Sequence, residues 1–148
     1  MPRRSRFRLQ PLRMGIHWKV AWNSFYEIDP PASRDGDEWL FLGEDLLLLA
    51  NTSVRVLIDV SWMPWGPRGR FVLSAVNWLG HGEMPEQWDR PLLQYRSRSR
   101  ERIVAKLDEW LDSEYAWVAV KRTAAAKVAQ PLKLSHVRNQ KLFEAESG

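Results

Sequence analysis

The chain has 148 residues, of which 45% are hydrophobic and 27% charged, enough apolar material for one soluble globular core. It contains no cysteine and three scattered histidines, His17, His81 and His136, which excludes a disulfide framework and a thiolate metal site, and it has no run of about 18 to 20 apolar residues that would span a membrane. The net charge of +4 conceals a division: residues 1–13 carry +5, residues 14–121 carry −4 and residues 122–148 carry +3, so the basic excess lies in the ends and argues less strongly for a nucleic-acid partner than the total suggests.

Residues 1–13 hold two prolines, five arginines and no apolar period, and are expected to be a basic flexible leader. Residues 14–121 are expected to form a single α+β domain, followed by a polar and basic extension over 122–148. The first strand is expected at Trp18, Val20 and Trp22, which alternate with Lys19, Ala21 and Asn23, the two-residue period of a half-buried strand. Residues 29–37, with Pro30, Pro31 and Gly36 among Asp29, Asp35 and Asp37, read as an exposed loop. The apolar stretch 39–50, interrupted by Gly43-Glu44-Asp45, fits a buried helix or two short strands, and two strands at 39–42 and 46–50 are favoured because a turn at 51–53 leads directly into the next strand.

That strand, 54–63, separates Val54, Val56, Ile58, Val60 and Trp62 on a core face from Arg55, Leu57, Asp59, Ser61 and Met63 on the other. Pro64-Trp65-Gly66-Pro67-Arg68-Gly69 reads as a hairpin connection to a return strand over 70–78, a long loop follows over 80–91, and 92–95 is expected to add an edge strand. From Ser99 the period changes. Ile103, Val104, Leu107, Trp110 and Leu111 form one helical stripe to about Glu114, with Ser99 as N-cap and Glu101 in the first turn. Residues 116–120 fit either an extension of this helix or a short strand. The fold class is therefore α+β: an antiparallel β-meander of about five strands packed against one long C-terminal helix, with basic tails at both ends.

No phosphate-cradling glycine motif and no parallel βαβ unit appears, which disfavours nucleotide enzymes. No catalytic residue, metal site or cofactor is expected. Asp35, Asp37, Glu38, Glu44 and Asp45 lack the spacing of a calcium loop and read as a solvated or partner-binding acidic surface; residues 27–59 as a whole carry −6. Asp59 is expected to pair with an arginine such as Arg55 or Arg70. Of the nine tryptophans, Trp18, Trp22, Trp62 and Trp110 stand at core positions, whereas Trp39, Trp65 and Trp88 stand in or beside loops, where aromatic rings anchor interfaces or stack on bases. The partner-binding candidates are thus Asp35, Asp37, Glu38, Trp39, Glu44, Asp45 and Trp65. An alternative nucleic-acid edge, a stretch mixing several cations with an aromatic, comprises Arg90, Tyr95, Arg96, Arg98 and Arg100.

Five segments carry a resemblance: Trp18-Lys19-Val20-Ala21-Trp22-Asn23-Ser24-Phe25-Tyr26, Val56-Leu57-Ile58-Asp59-Val60-Ser61-Trp62, Gly69-Arg70-Phe71-Val72-Leu73, Trp88-Asp89-Arg90-Pro91-Leu92 and Asp108-Glu109-Trp110-Leu111. Together they make the chain similar to the small bacterial immunity proteins encoded beside contact-dependent growth inhibition and other polymorphic toxins. The resemblance implies a cytoplasmic, non-catalytic protein that binds and neutralises a cognate toxin C-terminal domain, frequently a nuclease. The runner-up expectation is a single-stranded nucleic-acid-binding module.

Overall fold

The structure, a computed structural model, describes residues 7–78 and 88–129. His81, His136, most of the long loop expected at 80–91 and the part of the C-terminal extension from 130 onward lie outside the described residues. Five antiparallel strands, β1 (Trp18–Asn23), β2 (Leu47–Asn51), β3 (Val56–Met63), β4 (Arg70–Asn77) and β5 (Leu93–Ser97), pair in sequence order as a meander. Helix α1 (Arg100–Leu111) packs on β4 and β5. The α+β class holds, with one correction: the single long helix is two helices of 12 and 13 residues, α1 and α2 (Trp117–Ala129). The chain divides into two compact units, 1–115 and 116–148.

α1 begins where expected, because the Ser99 hydroxyl accepts a hydrogen bond from the Arg102 amide and satisfies one of the otherwise unpaired first-turn donors. It ends at Leu111, where Asp112 adopts an extended conformation. In the second unit, α2 contains Ala124, Ala125 and Ala126 and neither glycine nor proline, so intrinsic propensity favours a helix although most of its described side chains other than Trp117 are not buried.

Cross-strand register sorts the sheet into two faces. Leu49, Ile58 and Ala75 share one row, and Leu47, Val60, Leu73 and Tyr95 the next. This is the core face. Lys106 of α1 lies 5.4 Å from the Tyr95 ring, which fixes the side the helix covers, and Ile103, Leu107 and Leu111 are fully buried there along with Val56, Ile58, Val60, Trp62, Phe71 and Leu73. An aromatic cluster closes one end: Phe71 meets Trp62 at 4.9 Å and Phe25 at 6.0 Å, and Trp39 lies 5.9 Å from Trp62. The second face carries Leu48, Asp59, Ser74 and Gln94 in one row, Ser61, Val72 and Arg96 in the next, and Met63 opposite Arg70 beyond it.

Three expectations are corrected. Residues 39–42 form part of a 3-10 helix, Asp37–Phe41, instead of a strand; β2 already has β1 on one edge and β3 on the other, so no pairing edge remains beside it. Trp22 leaves the core face because the register shifts between Val20 and Trp22. The extra residue, Ala21, turns the next side chain across the sheet to lie opposite Leu48, and Trp22 is 55% exposed. Finally, the leader read as flexible is docked from residue 7: Gln10 donates to the Phe25 carbonyl and Glu27 to that of Arg8, both at 2.8 Å, and Phe7 packs 4.8 Å from Phe41.

Candidate functional site

The acidic candidates and Trp65 are drawn to one end of the sheet because the chain enters β2 where it leaves the antiparallel β3. The Trp62 amide donates to the Gly43 carbonyl and the Leu46 amide to that of Val60, which holds Glu44 and Asp45 alongside β3. Asp35, Asp37 and Glu38 precede Trp39, whose ring docks on Trp62. All five carboxylates are exposed. Among the described residues the ion pairs are Arg100 with Asp29 and Lys106 with Glu109, both at 3.1 Å, and neither engages the five.

Trp39 is not among the exposed groups. It is 4% exposed and its indole nitrogen donates to the Ser33 carbonyl at 3.0 Å, so it is a core residue that clamps the acidic loop onto the sheet. The exposed apolar groups near the carboxylates are others. Leu40, in the same 3-10 helix, is 72% exposed, and the Trp22 indole donates to the Asp45 carbonyl at 2.8 Å, which seats a half-exposed ring against the acidic segment. Sequence reasoning missed both: a strand period carries no sign of the one-residue bulge that turns Trp22 outward, and Leu40 reads as part of a strand over 39–42 where the chain forms a 3-10 helix.

Asp59 shares the second face with Trp22. Its carboxylate accepts a hydrogen bond from the Ser61 hydroxyl at 2.6 Å, not from an arginine as expected. Arg55 stands in the turn before β3 at φ +58° with its guanidinium 4.5 Å from the Trp78 ring, and Arg70 lies on β4 four residues from Ser74, the Asp59 cross-strand partner. Burial raises the Asp59 carboxyl from 3.8 to about 6, the Ser61 hydrogen bond opposes this, and the nearby Asp45 charge adds to it.

The alternative nucleic-acid edge is split by the fold. Arg98 donates to the carbonyls of Pro67 and Gly69 and lies 5.3 Å from the Trp62 ring; Arg100 is held by Asp29 and Gln10. Both are structural. Tyr95 faces α1, and Arg90 is exposed before β5. Arg96 projects from the opposite face to Tyr95, and there it joins Arg70 and Arg68 around a cleft of about 410 Å³ also lined by Met63, Pro64 and Val72. Trp65, one residue from Pro64, is 70% exposed. The sequence reading assigned Arg68 and Arg70 to a hairpin and Arg96 to a separate edge; only the β4–β5 register, which sets Val72 opposite Arg96, unites them.

Among the described residues no group of three or more histidine or acidic side chains is placed to hold a metal ion, and no helix is long and apolar enough to cross a membrane. Comparisons with protein families, with curated proteins and with solved structures find no match to this chain.

Proposed function

We propose that this chain is an immunity protein that binds and neutralises a basic toxin domain in the cytoplasm, with a nuclease as the expected toxin class. The observation that carries the reading is the set of five exposed carboxylates with no ion pair among the described residues, held on the sheet by Trp39 and flanked by the exposed Trp22 and Leu40. A nuclease presents positive charge to phosphates, so a rigid negative surface would speed encounter with it and select it over neutral competitors. Apolar rings at such a surface supply the affinity that charge alone does not. This assignment replaces Trp39 by Trp22 and Leu40 as the anchoring side chains.

The test is protection. Cells expressing a basic toxin domain taken from a gene adjacent to this one should survive when the chain is co-expressed. They should lose protection when Trp22 and Leu40 are changed to Ser together, provided that the variant still melts cooperatively. Death of cells co-expressing the wild-type chain would end the proposal.

A further inference from the structure

The hairpin between β3 and β4 is fixed from three directions. The Trp62 indole donates to the Gly66 carbonyl at 2.9 Å, the Gly69 amide donates to the same carbonyl at 3.1 Å, and Arg98 reaches in from the end of β5 to the Pro67 and Gly69 carbonyls. Gly66 takes φ +90°, a conformation open mainly to glycine. A hairpin held in this way would ordinarily hide its large apolar residue. Here Trp65 stands 70% exposed and Met63 41% exposed; Met63 and Pro64, the residue before Trp65 in the chain, line a cleft of about 410 Å³ whose six lining residues include three arginines and no acid. Arg70 and Arg96 occupy the same sheet face, Arg70 opposite Met63 and Arg96 opposite Val72 two residues along. They are diagonal neighbours, with backbones about 7 Å apart. No carboxylate among the described residues pairs with Arg68, Arg70 or Arg96, and Arg96 is instead steadied by two hydrogen bonds to the Gln94 side-chain carbonyl at 3.0 and 3.2 Å.

Three like charges around one cleft repel one another unless an anion joins them. The exposed ring of Trp65, which follows the cleft-lining Pro64 in the chain, adds a second requirement, because a simple anion makes no use of a presented indole. A ligand that has both a delocalised anion and an adjacent flat face fits the two together: phosphates at the guanidiniums and a nucleobase on Trp65. We propose that the Arg68–Arg70–Arg96 cleft and Trp65 form a binding site for two or three nucleotides of single-stranded DNA or RNA. A duplex is disfavoured, since its bases offer no free face to the ring. The footprint is short because the acidic loop, tied to the same end of β3, repels phosphates beyond the cleft. The site does not depend on the toxin-binding reading; of the partner-binding candidates named above it takes Trp65 alone, and the carboxylates, Trp22 and Leu40 have no part in it.

The experiment uses the full chain and a fluorescein-labelled oligothymidine of eight nucleotides, followed by anisotropy from 25 to 200 mM NaCl. Trp65→Ala should weaken binding about tenfold with the salt dependence retained, since one stacked base is lost and the phosphate contacts are not. Arg68→Gln, Arg70→Gln and Arg96→Gln combined should lower the slope of log affinity against log salt by about 2, the expectation for three single-strand phosphate contacts. The altered side chains are exposed or line an open cleft, so thermal melts should coincide with wild type. The basic ends of the chain are unchanged in both variants, and a triple variant that binds with the wild-type slope would assign the binding to those ends and overturn the site. Equal affinity of wild type and Trp65→Ala would also overturn it, as would displacement of the oligonucleotide by a polyglutamate peptide at equal charge concentration, which would make the cleft a site for acidic protein.

Discussion

Two tryptophans exchange the roles that their sequence positions suggest. Trp39 lies in an acidic loop and is buried against Trp62, whereas Trp22 lies in a strand and is half exposed. Trp39→Ala should therefore cost about 3 to 5 kcal/mol in urea denaturation, the range for emptying a large core site, and Trp22→Ala no more than about 1.5 kcal/mol. Asp59 contributes a pH dependence of definite sign. Its folded carboxyl titrates at about 6, above its ordinary 3.8, so between these values the folded state holds more protons than the unfolded chain and stability falls as pH rises. Below about 4 both states are protonated and nothing is lost; above about 6 the buried charge is fully exacted. Asp59→Asn keeps an acceptor for Ser61 and removes that charge. It should be more stable than wild type at pH 7.5 by about 1 to 3 kcal/mol, the difference vanishing by pH 4, as urea melts across that range would show. Equal pH profiles for the two proteins would mean that the carboxylate is well solvated.

At the scale of elements, the β3–β4 hairpin shows how a loop becomes a fixed platform. A Cβ on Gly69 would run into the Pro64 carbonyl and the Trp62 indole nitrogen, while one on Gly66 would meet nothing within 4 Å. The two glycines are thus needed for different reasons, close packing at Gly69 and positive φ at Gly66. Gly69→Ala should destabilise by about 3 kcal/mol, through displacement of the Trp62 ring, and Gly66→Ala by about 1 kcal/mol, through backbone strain alone. Chemical denaturation of the pair distinguishes them. If the two cost the same, Trp62 does not hold the hairpin as the geometry requires.

For the whole molecule, charge is arranged by the sheet as much as by the sequence. Residues 35–45 bring carboxylates to one end of the β2–β3 pair, and β4 with β5 bring arginines to the far side of β3 at that same end. Such a two-signed surface orients a partner as well as attracting it. Changing Asp35, Asp37, Glu38, Glu44 and Asp45 to Asn or Gln should leave the melting temperature within a few degrees, because these side chains are exposed. Stopped-flow association with the toxin domain proposed as partner should slow about tenfold or more at low ionic strength, and the gap should close as salt screens the field. Unchanged association at low salt would make the acidic surface merely solvated.

The sequence by itself determined the class of the fold. Alternation over residues 54–63 and 70–78 and the stripe from Ile103 to Leu111 are local periods that report which side of an element is apolar, and they yielded the order of strands, the N-cap at Ser99 and the buried Trp62 and Trp110. It also singled out the acidic run and Trp65 as surface. What it left open depended on pairing between distant segments. The bulge at Ala21 that turns Trp22 outward, the docking of Trp39 on Trp62 and the meeting of Arg96 with Arg70 all follow from register and from which strand edges are already occupied. These are properties of two chain segments at once. No window of one segment contains them, and so the tertiary structure alone decided which aromatic rings and which cations face solvent together.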